Sequence, residues 1–220
     1  MLFDMDGLLV DSEPLWFEVE SRVMARLGGP WGAEDQQALL GGSLERTVSY
    51  LLAKAPPNGP APSRGEVADW LLGGMLDLIE RRGLPLLPGV AELLAAVAAA
   101  RIPHALVTSS QRSIMHAVLA ATGVRFPVTV CREDVTRTKP DPEPYLRAVA
   151  LLGQDPRGCV VLEDSPNGVA AAESAGCLVV AVPTVPMPAS PGRIVVRSLR
   201  EVSLATLRKA AAARARETAP

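Results

Sequence analysis

Asp4 and Asp6 stand two residues apart, directly behind the apolar pair Leu2-Phe3 and directly ahead of Gly7. Carboxylates placed this close repel one another, and each favours a proton or a cation nearby. Two chemistries suit such a pair: oxygen ligation of a hard divalent cation, or a nucleophile working beside an acid/base group. One site can use both. The plainer alternative is structural, with Asp4 ending a strand and Asp6-Gly7 filling a turn, and the pair alone does not decide.

Three further stretches bring polar groups in behind apolar runs. Thr108, Ser109 and Ser110 follow Ala105-Leu106-Val107, and Glu163, Asp164 and Ser165 follow Val160-Val161-Leu162. Lys139 lies in the turn Thr138-Lys139-Pro140-Asp141-Pro142, between a strand and a helix. Taken singly, Thr108 and Ser109 read as helix capping and Lys139 as a solvated lysine.

The elements that carry these groups follow from periodicity. From Gly89 onward short apolar strands (103–108, 127–131, 159–162, 178–182, with 193–196 as an edge) alternate with helices (90–100, 111–122, 142–152, 166–175, 204–216). That alternation implies parallel βαβ units with strands buried on both faces. In such sheets ligands bind beyond the carboxyl ends of the strands, where the carboxylates, hydroxyls and ammonium converge. Between Pro14 and Pro85 the pattern is different: helices are expected at 15–27, 35–40, 44–54 and 65–82, separated by Gly28-Gly29-Pro30, Gly41-Gly42-Ser43 and the Pro-rich 56–62, with no convincing strand. This stretch reads as a helical insert, so the expected division is a core of 1–13 and 86–220 and an inserted domain of 14–85.

With 220 residues, 48% of them hydrophobic, the chain can bury a core without staples. Twenty-two basic against 24 acidic residues leave no basic excess of the kind that tracks nucleic acid, so the expected partner is a small molecule. No apolar run approaches the roughly 18 residues of a membrane span and no secretory leader is visible, which implies a cytoplasmic protein. Cys131, Cys159 and Cys177 read as reduced core thiols, and His104 and His116 as structural histidines. Met1 leaves very few residues ahead of the first motif, so the first strand is expected to be short, or to start upstream.

The ordered set Asp4-Met5-Asp6-Gly7, Thr108, Lys139 and Glu163-Asp164-Ser165-Pro166-Asn167-Gly168 resembles the haloacid dehalogenase superfamily, and the likeness covers nearly the whole chain. It implies an α/β fold, a Rossmann-like parallel sheet core with an inserted α-helical cap domain. It also implies a Mg²⁺-dependent phosphatase acting on a small phosphate monoester, a sugar phosphate in particular, through an aspartyl-phosphate. In that scheme Asp4 is the nucleophile and Asp6 the general acid and base. Thr108, Ser109 and Lys139 bind the phosphoryl group, and Asp4, Asp164 and the Asp6 backbone carbonyl hold the Mg²⁺. Glu163 stays open between direct ligation, ligation through water and support of its loop. A monomer or weak homo-oligomer is expected. The presence of Asp6 and Glu163-Asp164 argues against carbon–halogen cleavage, which needs neither a proton donor nor a metal.

Two alternatives remain. A phosphomutase like β-phosphoglucomutase would carry a histidine and a basic pair in its cap, where this chain has Trp16 and, in one alignment, Leu40 and Leu44. The stretch from Asp11 to Trp16 resembles instead the cap entry of phosphosugar phosphatases, which makes Glu13, Trp16, Ser43 and Arg46 candidates for the substrate side of the cap. A non-catalytic module that binds a phosphometabolite is the alternative of another class; it predicts loss of Asp4 or Asp6, and both are present.

Overall fold

The structure, a computed structural model, describes residues 1–39, 42–183, 186–187, 190 and 193–217, with only the backbone for 213–217. Among these residues six strands form one sheet in the order β3-β2-β1-β4-β5-β6, every neighbouring pair parallel. The strands are β1 (Leu2–Phe3), β2 (Ala105–Val107), β3 (Val128–Val130), β4 (Val160–Glu163), β5 (Leu178–Ala181) and β6 (Arg193–Val195). β1 lies between β2 and β4, with Leu2 opposite both Ala105 and Val161. Although β1 has only two residues, its ladder continues at both ends: Ala105 N–H donates to the Met1 carbonyl at 3.0 Å and Asp4 N–H to the Leu162 carbonyl at 3.1 Å.

Side chains alternate across the sheet as the two-residue period requires. Phe3, Leu106, Leu162 and Val180 face α5 (Val90–Ala99) and α6 (Arg112–Thr122), while Leu2, Val107, Val161 and Val179 face α7 (Glu143–Leu151) and α8 (Pro166–Ser174). Helices on both faces leave the carboxyl edge of the parallel strands as the open rim.

The insert comprises α1 (Glu13–Leu27), α2 (Ala33–Leu39), α3 (Leu44–Lys54) and α4 (Arg64–Arg82). α1 opens with Pro14 in its first turn and closes on Gly28, whose left-handed φ of 86° lets its N–H and that of Gly29 cap the last turn. α4 opens on a capping box between Ser63 and Glu66. α4 packs on α1 and α3 and also reaches α6. Where the chain leaves and re-enters the sheet region, Val10 and Leu86 form an antiparallel bridge and Leu87 N–H donates to the Leu9 carbonyl at 2.9 Å. α9 (Leu204–Glu217) packs on α5.

Expected and observed elements agree to within two residues or so. The expected strand at 103–108 contracts to Ala105–Val107 because Pro103 offers no N–H to the ladder. Of the expected helix 35–40, Leu40 lies outside the described residues, as does Gly41 of the turn that follows. The three cysteines are buried thiols. His104 is structural, its Nδ1 2.9 Å from the Ile102 carbonyl and its ring edge-on to Phe126. His116 departs from expectation: it sits on the exposed side of α6, whose buried face is Ile114, Met115 and Val118.

Candidate active site

Because β1, β2 and β4 are parallel neighbours, the residues just past them share one rim. Asp4 is 6% exposed, and Lys139, on the turn before α7, reaches it from the β2 side. The Lys139 ammonium spends all three of its donors there: on Asp4 Oδ1 at 2.5 Å, the Val107 carbonyl at 2.9 Å and Glu163 Oε1 at 2.7 Å. Lys139 is thus a buried, fully engaged cation, and the surface-lysine alternative is excluded.

Glu163 is fully buried and is held from all sides. Its Oε1 accepts from Lys139 and from the Tyr145 hydroxyl at 2.6 Å; its Oε2 accepts from the backbone N–H groups of Asp164 and Ser165 and from the Ser165 hydroxyl, at 3.0, 3.2 and 3.1 Å. A β-carbon on Gly168 would lie 1.7 Å from Glu163 Oε1, so only glycine lets α8 pass this close. Gly168→Ala is accordingly expected to destabilise the protein by about 1–3 kcal/mol, the usual cost of overpacking, and to lower activity by displacing Lys139. Urea unfolding together with turnover checks both. Gly7 plays a similar part on the other side, with φ 80° and a β-carbon position 2.1 Å from Asp164 Oδ2.

Burial first, and then the neighbouring Glu163 carboxylate, push the Asp4 carboxyl up to about 8, against the opposing pull of Lys139. Asp164 is pushed up to about 9 by burial and by Asp4 and Glu163. Burial disfavours the Lys139 charge, but the carboxylates of Asp4 and Glu163 more than offset it and hold the ammonium above its ordinary range. Oxygen donors of Asp4, Glu163 and Asp164 lie within 4.8 Å of one another, so the carboxylates outnumber the single ammonium. This donor set fits a hard divalent cation, which takes one or two carboxylates and completes its shell with water and substrate oxygens. Since Glu163 already serves five donors, Asp4 and Asp164 are the carboxylates suited to such an ion.

Asp6 is half-buried and faces the cleft. Its Oδ1 accepts from the Ser12 hydroxyl at 2.5 Å and its Oδ2 from the Ser110 hydroxyl at 2.8 Å, with the Thr108 hydroxyl farther off at 3.4 Å. Thr108 is buried, its Oγ1 accepting from the Ser110 N–H at 3.0 Å, and Ser109 lines the cleft beside it. Sequence reasoning passed over three residues of this network. Ser12 and Ser110 were visible only as members of polar runs, and Tyr145, one of two tyrosines in the chain, gave no signal beyond its place in a helix.

The cleft between this rim and the insert holds a cavity of about 120 Å³. Of the candidates for the insert's side, Glu13 and Trp16 line it and so does Leu44; Ser43 instead caps α3, and Arg46 is exposed with its guanidinium on the Ala38 carbonyl at 2.7 Å. Glu20, Gln36 and Thr47 line it as well, none of them singled out from the sequence.

A parallel sheet with acidic loops on its first and fourth strands, a lysine between them and a helical insert after the first strand defines a class of hydrolase. The haloacid dehalogenase-like hydrolase model matches residues 1–182, and the chain belongs to that family. Hexitol phosphatase B of Escherichia coli (strain K12) is 36% identical over 209 residues, covering 94% of this chain and 92% of that protein. The phosphorylated carbohydrates phosphatase of Thermotoga maritima is 36% identical over 184 residues, 80% of this chain and 81% of that one. The crystal structure of CbbY from Rhodobacter sphaeroides in complex with phosphate superposes with a TM-score of 0.86 at 27% identity, covering 94% of this chain and 97% of that one.

Proposed function

We propose that this protein is a Mg²⁺-dependent phosphatase that hydrolyses a small phosphate monoester, a sugar or polyol phosphate, through an aspartyl-phosphate on Asp4. The observation that carries the reading is Lys139 buried against Asp4, with Asp6 and Asp164 on the same rim. The family membership and the named phosphatases among the relatives support it. In the first displacement an Asp4 carboxylate oxygen bonds to phosphorus as the bond to the leaving alkoxide breaks, and Asp6 gives that oxygen a proton. In the second, water attacks the same phosphorus, Asp6 takes its proton, and phosphate departs with the Asp4 carboxylate restored. Thr108, Ser109 and Lys139 bind the phosphoryl group, Thr108 and Ser109 as hydrogen-bond donors and Lys139 as a compact positive charge beside it. Asp4, Asp164 and the Asp6 carbonyl would hold a Mg²⁺, which would supply the positive charge that lets two anions meet. Glu163 supports the site by holding Lys139 and its own loop.

The insert 14–85 acts as a cap that shuts water out, pivoting on the paired connections at Val10 and Leu86, and the core is 1–13 with 86–220. Among the described residues no helix is long and apolar enough to cross a membrane. The buried thiols support a reducing, cytoplasmic setting. Trp16 and Leu44 line the cleft where a mutase would carry a histidine and a basic residue, which favours hydrolysis over phosphate transfer between two positions of a sugar.

The test is phosphate release from phosphorylated sugars, polyols and nucleotides, with Mg²⁺ and with chelator. β-Glucose 1-phosphate is included and glucose 6-phosphate formation followed separately; isomerisation without release would replace the phosphatase reading with the mutase. Asp6→Asn is expected to lower turnover of alkyl phosphates by about 10²–10⁴-fold, the range for a lost general acid and base. With p-nitrophenyl phosphate, whose leaving group needs no proton, the same variant is expected to give a burst of nitrophenolate followed by slow turnover. Absence of any burst would place Asp6 outside the second step.

A further inference from the structure

On α1, Glu13, Trp16 and Glu20 follow a helical spacing of three and four residues, which puts them on one face, and all three line the cleft. Glu20 is only 4% exposed, yet its Oε2 has no hydrogen-bond partner. Its acidic neighbours already serve other donors. Asp35 is itself an acceptor, taken up by Lys54, the Tyr50 hydroxyl at 2.9 Å and the Gly32 N–H at 2.9 Å, and Glu13 takes the Gln36 amide. Buried acceptors are nearly always satisfied, and because Glu20 lines the cleft, a donor for this oxygen can come from a molecule bound there.

The phosphoryl end of a substrate sits against Lys139, the one cation among the described residues lining the cleft. The other end therefore meets Glu13 and Glu20, acceptors without a basic group beside them. A second phosphate there would find no cation to match it, whereas a hydroxyl group would donate to the Glu20 oxygen.

We infer that Glu20 is a specificity-determining residue that accepts a hydrogen bond from a hydroxyl of the leaving alcohol, selecting polyhydroxylated monophosphates and rejecting bisphosphates. The inference rests on the phosphatase reading and deepens it. Burial, followed by Glu13 and Asp35, pushes the Glu20 carboxyl up to about 8, so near neutral pH it is largely the uncharged acid, whose carbonyl oxygen still accepts from a hydroxyl while offering nothing to a second phosphate's charge.

The experiment measures kcat and KM with Mg²⁺ for sorbitol 6-phosphate, glucose 6-phosphate, fructose 1,6-bisphosphate and p-nitrophenyl phosphate, for the unmodified chain, Glu20→Leu and Glu20→Gln, with thermal melting of each. The unmodified protein is expected to prefer the monophosphates to the bisphosphate. Glu20→Leu is expected to lower the ratio of kcat/KM for the polyol phosphate to that for p-nitrophenyl phosphate by about tenfold or more, mostly through KM. Glu20→Gln, which keeps an acceptor oxygen, cannot ionise and adds an amide donor for a phosphate, is expected to recover part of that ratio and to raise relative turnover of the bisphosphate. An unchanged ratio in both folded variants, or a bisphosphate preference in the unmodified chain, overturns the role of Glu20 while leaving the phosphatase standing. No Mg²⁺-dependent release from any substrate by the unmodified chain overturns both.

Discussion

Asp4→Asn is expected to lower kcat/KM for phosphate release by about 10⁴-fold or more, the scale on which removal of a covalent nucleophile acts. An amide at this position cannot form the acyl-phosphate and is a poorer metal ligand, so both functions assigned to Asp4 go together. The fold should persist. A carboxyl raised from 3.8 to about 8 binds its proton more tightly in the folded chain than in the unfolded one. Its contribution is therefore most favourable below about pH 4 and is lost as pH rises toward 8. Asparagine has no proton to lose, so in chelator the melting temperature of Asp4→Asn should gain on that of the unmodified chain between pH 4 and pH 8. Retention of more than about a hundredth of the activity, far above what nucleophile loss permits, would move the covalent step to another residue.

Lys139→Met is expected to damage stability as well as catalysis. It leaves the Asp4 and Glu163 carboxylates buried without the ammonium that lies 2.5 and 2.7 Å from them. Breaking a buried ion pair from one side costs about 3–5 kcal/mol, and losing a charge that opposes the phosphoryl oxygens costs about 10²–10³-fold in turnover. Adding Glu163→Gln to Lys139→Met should recover part of the stability and none of the activity, because it removes the stranded charge without restoring a cation at phosphorus. Chemical denaturation of the two single variants and the double variant measures this coupling, and simple additivity would contradict the role of Glu163 as the anchor of Lys139. Lys139→Arg should not rescue, since a planar fork does not fit a pocket built for three diverging donors.

The chemistry of the rim was legible in the sequence because it is written in local patterns. Apolar runs end in Asp4, Thr108 and Glu163-Asp164, and the alternation of helix and strand forces parallel pairing, which brings those ends to one edge. Helix boundaries were nearly as clear, since Pro14 and Gly28 act on their own turns. Arg46 shows where such reasoning falls short: its position near a cap turn suggested substrate, but its guanidinium reached a nearer carbonyl on Ala38.

By itself, then, the sequence determined the α/β order, the helical insert and the residues at the strand ends, because each depends on neighbours a few positions away. Only the tertiary structure decided that Glu163 serves Lys139, Tyr145 and its own loop, that Ser12 and Ser110 hold Asp6, and that Glu20 lines the cleft with an unmatched oxygen. Those assignments depend on which donor reaches which oxygen across as many as 104 positions of chain, and burial, which sets the cost of leaving an oxygen unmatched, exists only once the chain has packed.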